Sequence, residues 1–156
     1  MEQVFEAAVA HYLAGRRSDV KIQPERSLAP ISGEPRHVFA YRPDLVVGQT
    51  PPLLVLDTKY ANPERQTQFG TRSFRNNDLY QIAFYANEYR CPGLLVYPKA
   101  ERDVYVTFQA GQARCTIATV DLSQPGLAGL EALKAVVQEL IESGRSHVPR
   151  TVARAS

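Results

Sequence analysis

Tryptophan is absent, and the chain holds only two cysteines, Cys91 and Cys115, and three histidines, His11, His37 and His147. The cysteines form no metal-type spacing, so they read as free thiols in a reducing cytosol. The histidines are scattered, with no H-x-x-x-H pattern and no Cys/His cluster, which speaks against a zinc site. No apolar run approaches the ~20 residues that cross a bilayer. The first residues, Met1-Glu2-Gln3-Val4-Phe5-Glu6, lack the basic start and continuous apolar core of a signal peptide. The expectation is a cytoplasmic chain with no membrane partner. An excess of one charge is missing too: 18 Lys+Arg stand against 16 Asp+Glu, a formal net charge of +2. That balance rules out a uniformly basic nucleic-acid binder but leaves room for a local basic surface. G-x-S-x-G, a glycine-rich phosphate loop and G-x-G-x-x-G do not occur, which leaves serine hydrolases, P-loop NTPases and Rossmann enzymes without support. Without tryptophan for sugar stacking, a glycosidase is a distant option.

What is present suits one globular domain. The 156 residues are 44% hydrophobic and 22% charged, ordinary for a folded chain of this length. Apolar spacing predicts a helix over 3–15 and extended chain over 19–28, with Pro24, Pro30 and Pro35 keeping the stretch non-helical. A β-rich run covers His37 to Val47 and stops at Gly48-Gln49-Thr50-Pro51-Pro52. Leu53 to Tyr60 reads as a central strand buried on both faces. Residues 61–77 are polar and read as a long functional loop. Asp78 is placed to N-cap a helix through Tyr89. Further strands are expected at 94–98, 104–108 and 113–119. A last helix covers 126–143, with Leu127, Leu130, Leu133, Val137, Leu140 and Ile141 inward and Gly144 as its stop. Residues 1–144 would form the domain and 145–156 a basic, frayed tail. The order implies an α/β fold, a mixed central β-sheet flanked by α-helices.

The informative residues lie mid-chain. If the strands ending at Val47 and starting at Leu53 form an antiparallel hairpin, Asp44 and Asp57 are equidistant from its turn and face one another. Directly opposed positions place their Cβ atoms ~5 Å apart. Like charges there repel unless one is protonated or a cation binds between them. Lys59, two residues beyond Asp57, returns to the same face, as do Val55 and Leu53. Two carboxylates with an open coordination sphere suit Mg²⁺, which uses few protein oxygens plus waters and substrate phosphate. Glu6 stands at the edge of the first helix's apolar stripe, about 60° around from Val9, free to reach a cleft as a third ligand or a ligand's support. The bland alternatives are a plain Asp57–Lys59 salt bridge and turn chemistry at Pro43-Asp44. Against them, these charges interrupt the most apolar strand of the chain, where unpaired charge is costly.

Arg42-Pro43-Asp44 and Leu56-Asp57-Thr58-Lys59, with Glu6 upstream and Gln81-Ile82-Ala83-Phe84-Tyr85 downstream, resemble the PD-(D/E)xK nuclease superfamily. The last piece resembles the QxxxY element of its RecB-like branch. More narrowly, Phe5-Glu6, Arg42-Pro43-Asp44-Leu45, Leu56-Asp57-Thr58-Lys59-Tyr60, Asp78-Leu79-Tyr80-Gln81 and Leu95-Val96-Tyr97-Pro98 resemble the nuclease domain of the McrC family, over roughly residues 3–100. McrC proteins are the cleavage subunits of 5-methylcytosine-dependent restriction systems that defend against foreign DNA. The resemblance implies a restriction-endonuclease-like fold and Mg²⁺-dependent DNA cleavage, with Mn²⁺ as a substitute and 5′-phosphate and 3′-hydroxyl products. It implies Asp44 and Asp57 as metal ligands, with the Thr58 backbone carbonyl as a further one. Lys59 would position the attacking water, Glu6 would assist metal binding, and Gln81 and Tyr85 would hold substrate or metal-bound water. It also implies an AAA+ GTPase partner engaged through an N-terminal part that this sequence does not contain, so the chain reads as an excised domain or a reduced relative. The competing reading is a catalytically silent nuclease-fold module that binds DNA or docks that GTPase.

Arg65, Arg72 and Arg75, interleaved with Phe69 and Phe74, make a candidate phosphate-binding stretch, the alternative being a solvated loop. Tyr85 has a core alternative and Gln81 a strand-edge one. The leucine stripe of the last helix is most simply core, with a dimer or partner contact as its alternative. One domain offers one metal centre, so cutting both strands would need a homodimer.

Overall fold

The computed structural model describes residues 1–28, 30–33 and 39–146. Helix α1 (Glu2–Ala14) opens the chain, followed by β1 (Val20–Ile22), β2 (Arg26–Leu28), β3 (Phe39–Tyr41), β4 (Leu45–Val47) and β5 (Leu54–Thr58). Then come β6 (Glu64–Gln66), β7 (Arg72–Phe74), α2 (Asn76–Tyr89), β8 (Gly93–Pro98), β9 (Tyr105–Ala110), β10 (Ala113–Val120) and α3 (Ala128–Ser146). Six strands form one mixed sheet in the order β1-β4-β5-β8-β10-β9. The β5–β8 and β8–β10 pairs are parallel and the other three pairs antiparallel. Two small ladders, β2–β3 and β6–β7, stand apart from it.

Alternation along the strands divides the core in two. Leu45, Val47, Leu54, Leu56, Leu94 and Val96 face α1 and α3, meeting Phe5, Val9, Leu13, Leu133, Val137 and Ile141. Val46, Val55, Leu95, Tyr97, Cys115 and Ile117 face α2, meeting Ile82, Tyr85, Ala86 and Tyr89. All five residues of β5 are buried, as a central strand with helices on both sides requires. At Gly93 a side chain would stand 3.0 Å from Ile82, 3.1 Å from Ala86 and 3.2 Å from Cys115. Its absence lets α2 lie close on β8.

Several expectations are corrected. Residues 61–77 are not a loop: most of them form the β6–β7 hairpin, tied by Thr67 N–H to the Thr71 carbonyl at 2.8 Å. Its residues are mostly exposed on both faces, so it carries no apolar alternation to read. The run 37–47 is two strands in two different sheets, broken at residues 42–44; His37 lies outside the described residues. Asp78 is not the cap of α2, whose N-cap position is Arg75, but a first-turn residue with a buried partner. Gly144 does not stop α3, which continues to Ser146. Leu127 precedes that helix and is exposed. Leu53 precedes β5 and packs with the α1–α3 side rather than with Val55. Arg145 belongs to α3 rather than to a frayed tail; residues 147–156 lie outside the described residues.

Candidate active site

The β4–β5 register pairs Leu45 with Leu56 and Val47 with Leu54. Carried one residue further, it sets Asp44 against Asp57, as the hairpin arithmetic predicts. Both lie at the carboxyl end of β5, on the face covered by α2. Asp57 is 2% exposed. Asp44 is partly buried and accepts hydrogen bonds at Oδ2 from the Thr58 N–H (2.7 Å) and the Thr58 hydroxyl (2.6 Å). Lys59 Nζ stands 2.6 Å from Asp57 Oδ2. That short ion pair is the contact made by the buried Oδ2, and no backbone N–H or neutral side chain supports it. Thr58, between them, is turned away from the lysine and serves to hold Asp44.

The electrostatics follow from this crowding. Burial pushes the Asp57 carboxyl up to about 6, and the Asp44 charge adds to the rise, while Lys59 opposes it. Burial also raises Asp44; the Thr58 hydrogen bonds oppose the rise and the Glu6 charge adds to it. Two acids in one pocket, with a single lysine against them, form a donor set for a hard cation. Among the described residues no group of three or more His, Cys, Asp or Glu forms a metal-binding cluster. The pair therefore fits an ion that keeps most of its waters, such as Mg²⁺, and does not fit a closed structural site.

Glu6 is close enough to Asp44 to affect its charge, but its carboxylate is engaged by the Gln23 side-chain amide. Gln23 also donates its backbone N–H to the Asp44 carbonyl at 2.7 Å, from a left-handed backbone at φ 46°. This residue joins α1 to the acidic pair. On α2, Gln81 Nε2 donates to the Tyr85 hydroxyl at 3.0 Å. The Tyr85 hydroxyl in turn donates to the Arg42 carbonyl at 3.4 Å, and burial, with the Asp57 charge next in effect, raises its pKa. The Tyr85 ring is in the core, as its core alternative has it.

A cleft of about 550 Å³ opens beside the lysine, lined by Glu2, Lys59, Tyr60, Arg75, Asp78 and Gln81 among others. Arg75 Nε is buried there without a hydrogen-bond partner. Arg72 is held by Glu64 at 2.9 Å, while Arg65 is exposed and does not line the cleft. Gln23 carries no sequence signal for its place, and Asp78, which is part of the resemblance, carries none for its partner. Asp78 accepts a 2.6 Å hydrogen bond from the Tyr97 hydroxyl, and burial followed by this bond drives that hydroxyl's pKa up. Away from the site, Cys91 and Cys115 are free and buried. Burial pushes their thiols up to about 12 and about 11, so they are protonated and inert near neutral pH. Among the described residues no helix is long and apolar enough to cross a membrane.

Fold and site define an α/β protein that gathers two carboxylates and a lysine at one edge of a mixed, helix-flanked sheet. The family model described as McrBC 5-methylcytosine restriction system component matches residues 1–98, and the chain belongs to that family. The match contains every residue of the acidic site. A solved structure is similar in fold, at TM-score 0.54 and 15% identity, covering 87% of this chain and 33% of that one. It is described as a half-complex from a tetradecameric assembly of Thermococcus gammatolerans McrB AAA+ hexamers with bound McrC. This chain thus spans about a third of the length of the chain it matches there. No curated protein matches the sequence significantly.

Proposed function

We propose that this chain is a PD-(D/E)xK endonuclease domain that hydrolyses DNA phosphodiesters with Mg²⁺ or Mn²⁺, as the cleaving part of a McrBC-type restriction system. The observation that carries this reading is the meeting of Asp44, Asp57 and Lys59 at the carboxyl end of β5, with Lys59 Nζ 2.6 Å from the buried Asp57 Oδ2. Family membership over residues 1–98 agrees with it.

Asp44 and Asp57 are the ligands in this reading, with the Thr58 carbonyl and Glu6 as further or supporting groups. A bound divalent ion supplies Lewis-acid stabilisation of phosphoryl charge and a more acidic water. Lys59 orients the attacking water and adds positive charge where the transition state builds negative charge. The Gln81–Tyr85 pair presents an amide and a hydroxyl toward the scissile phosphate or its waters. Arg75, on the cleft wall, receives a flanking phosphate, and Arg65 and Arg72 extend the basic surface. The similar structure's description couples McrC with McrB AAA+ hexamers, and an AAA+ GTPase is accordingly proposed as this chain's partner.

The test is cleavage of DNA and Mn²⁺ binding by the wild type, Asp57→Ala and Lys59→Ala. The wild type should bind the ion and cut, and each variant should lose about 100-fold or more in rate. Equal cleavage by all three overturns the site. A wild type that binds no divalent ion and cuts nothing even with an AAA+ partner overturns the enzyme.

A further inference from the structure

We infer that the β6–β7 ribbon is an arm that grips duplex DNA, with Phe69 as an apolar wedge at its tip and Glu64 as the residue that positions its root. The inference rests on reading the neighbouring cleft as a DNA site, and it names a contact and a substrate form that the cleft does not.

The ribbon rises from the rim of that cleft. Ala61 and Arg75, at its two ends, both line the cleft wall. Its far end is tightly closed: the Thr67 and Thr71 hydroxyls meet at 2.6 Å, Gly70 N–H donates to the Thr67 carbonyl at 3.0 Å, and Gly70 takes φ 74°. At this closed tip Phe69 is 90% exposed. A large aromatic held on a polar ribbon, away from both cores, has no packing role in the chain. Over residues 61–75 three arginines stand against one acid, Glu64. The Arg65 side chain makes no ion pair or hydrogen bond among the described residues.

The root is braced on the opposite face. Arg102, between β8 and β9, donates to both oxygens of Glu64, its Nε at 3.1 Å. Arg72 donates to the same carboxylate at 2.9 Å. Glu64 is thereby the covered centre of a cluster, its side chain 11% exposed. A forked arginine–carboxylate pair has directional rigidity that single lysine pairs lack. It fixes the ribbon to the sheet and balances Arg72 and Arg102 against Glu64 and the exposed Glu101, leaving Arg65 as the ribbon's outward cation and Arg75 on the cleft wall.

Shape and charge point to one occupant. A two-stranded ribbon fits a DNA groove, and exposed apolar side chains on such arms enter between base steps and unstack them. A protein partner would use the aromatic but has no need of an exposed Arg65 on the ribbon and an Arg75 at its root facing the cleft.

The test is binding of the full chain, without divalent ion, to a fluorescein-labelled duplex, and to the same duplex carrying 2-aminopurine. Phe69→Ala should weaken binding about fivefold or more and abolish the 2-aminopurine rise that reports unstacking. Arg65→Gln should lower the salt slope by about one. Glu64→Gln is the diagnostic variant. Deleting an acid should tighten DNA binding by charge alone, whereas loss of the brace weakens it. Wild-type-like or tighter binding by Glu64→Gln together with wild-type-like Phe69→Ala overturns the inference, as does a wild type that ignores duplex DNA. Binding needs no cutting, so ribbon effects without cleavage would sink only the proposed hydrolysis. Cleavage that depends on Asp57 but not on the ribbon would sink only the arm.

Discussion

Asp57 has to be nearly dry, next to Asp44, and charged before it can hold a cation. Burial first, and the Asp44 charge second, raise its carboxyl to about 6. A proton therefore competes with the ion in the acid range. Affinity for Mn²⁺ should be level above about pH 7 and fall by up to about tenfold per unit below about pH 6, as titration calorimetry would read. An affinity unchanged down to about pH 5 would show that Asp57 is not a ligand. The sign follows from the direction of the shift: a raised carboxyl is neutral over more of the acid range, and only its charged form binds. At this scale the acidic pair and Lys59 were legible because a strand repeats every two residues and a hairpin fixes which residues oppose each other. Gln23 and Asp78 were not. Gln23 acts through a left-handed backbone and a contact to α1, and Asp78 through a tyrosine 19 residues away. Neither contact leaves a local pattern.

Helix α2 is the element that completes the site, since it carries Gln81 and Tyr85 and begins at Arg75. Its height above the sheet is set at Gly93, where any side chain would press on Ile82, Ala86 and Cys115. Gly93→Ala should cost about 1–3 kcal/mol, read as a drop in melting temperature of roughly 2–4 °C per kcal/mol. Because the same change lifts Gln81 and Tyr85, catalytic rate should fall further than the stability loss explains. A melt and rate equal to wild type would show that the helix has slack. The three helices and the central strand were readable from apolar periodicity. The β6–β7 ribbon was not, because both its faces are wet and its hydrogen bonds, not its side-chain pattern, make it a ladder. Helix ends were also misplaced at Asp78 and Gly144: capping preferences are worth ~1 kcal/mol, and a buried tyrosine hydroxyl or continued packing on the sheet outweighs them.

Among the described residues Asp44 and Asp57 form one paired-carboxylate centre, and a duplex has two strands. Under the proposed hydrolysis a single copy should nick: on supercoiled plasmid, open circles should accumulate before linear product, and linear product should rise with protein concentration. Direct linearisation by a species that stays monomeric would contradict the one-centre reading. The charge balance fits this arrangement, with the acids of the site offset by Lys59, Arg72 paired with Glu64 and Arg65 kept outward. The sequence alone determined the layered α/β class, the opposed aspartates and the lysine beside them, because strand and helix periods are local and every residue obeys them. Only the tertiary structure decided what surrounds that triad: Gln23 behind Asp44, Asp78 on the cleft wall, the depth to which Asp57 is buried, and a braced ribbon where a loop was expected. Those depend on burial and on contacts between distant segments, and such contacts exist only once the chain has closed on itself.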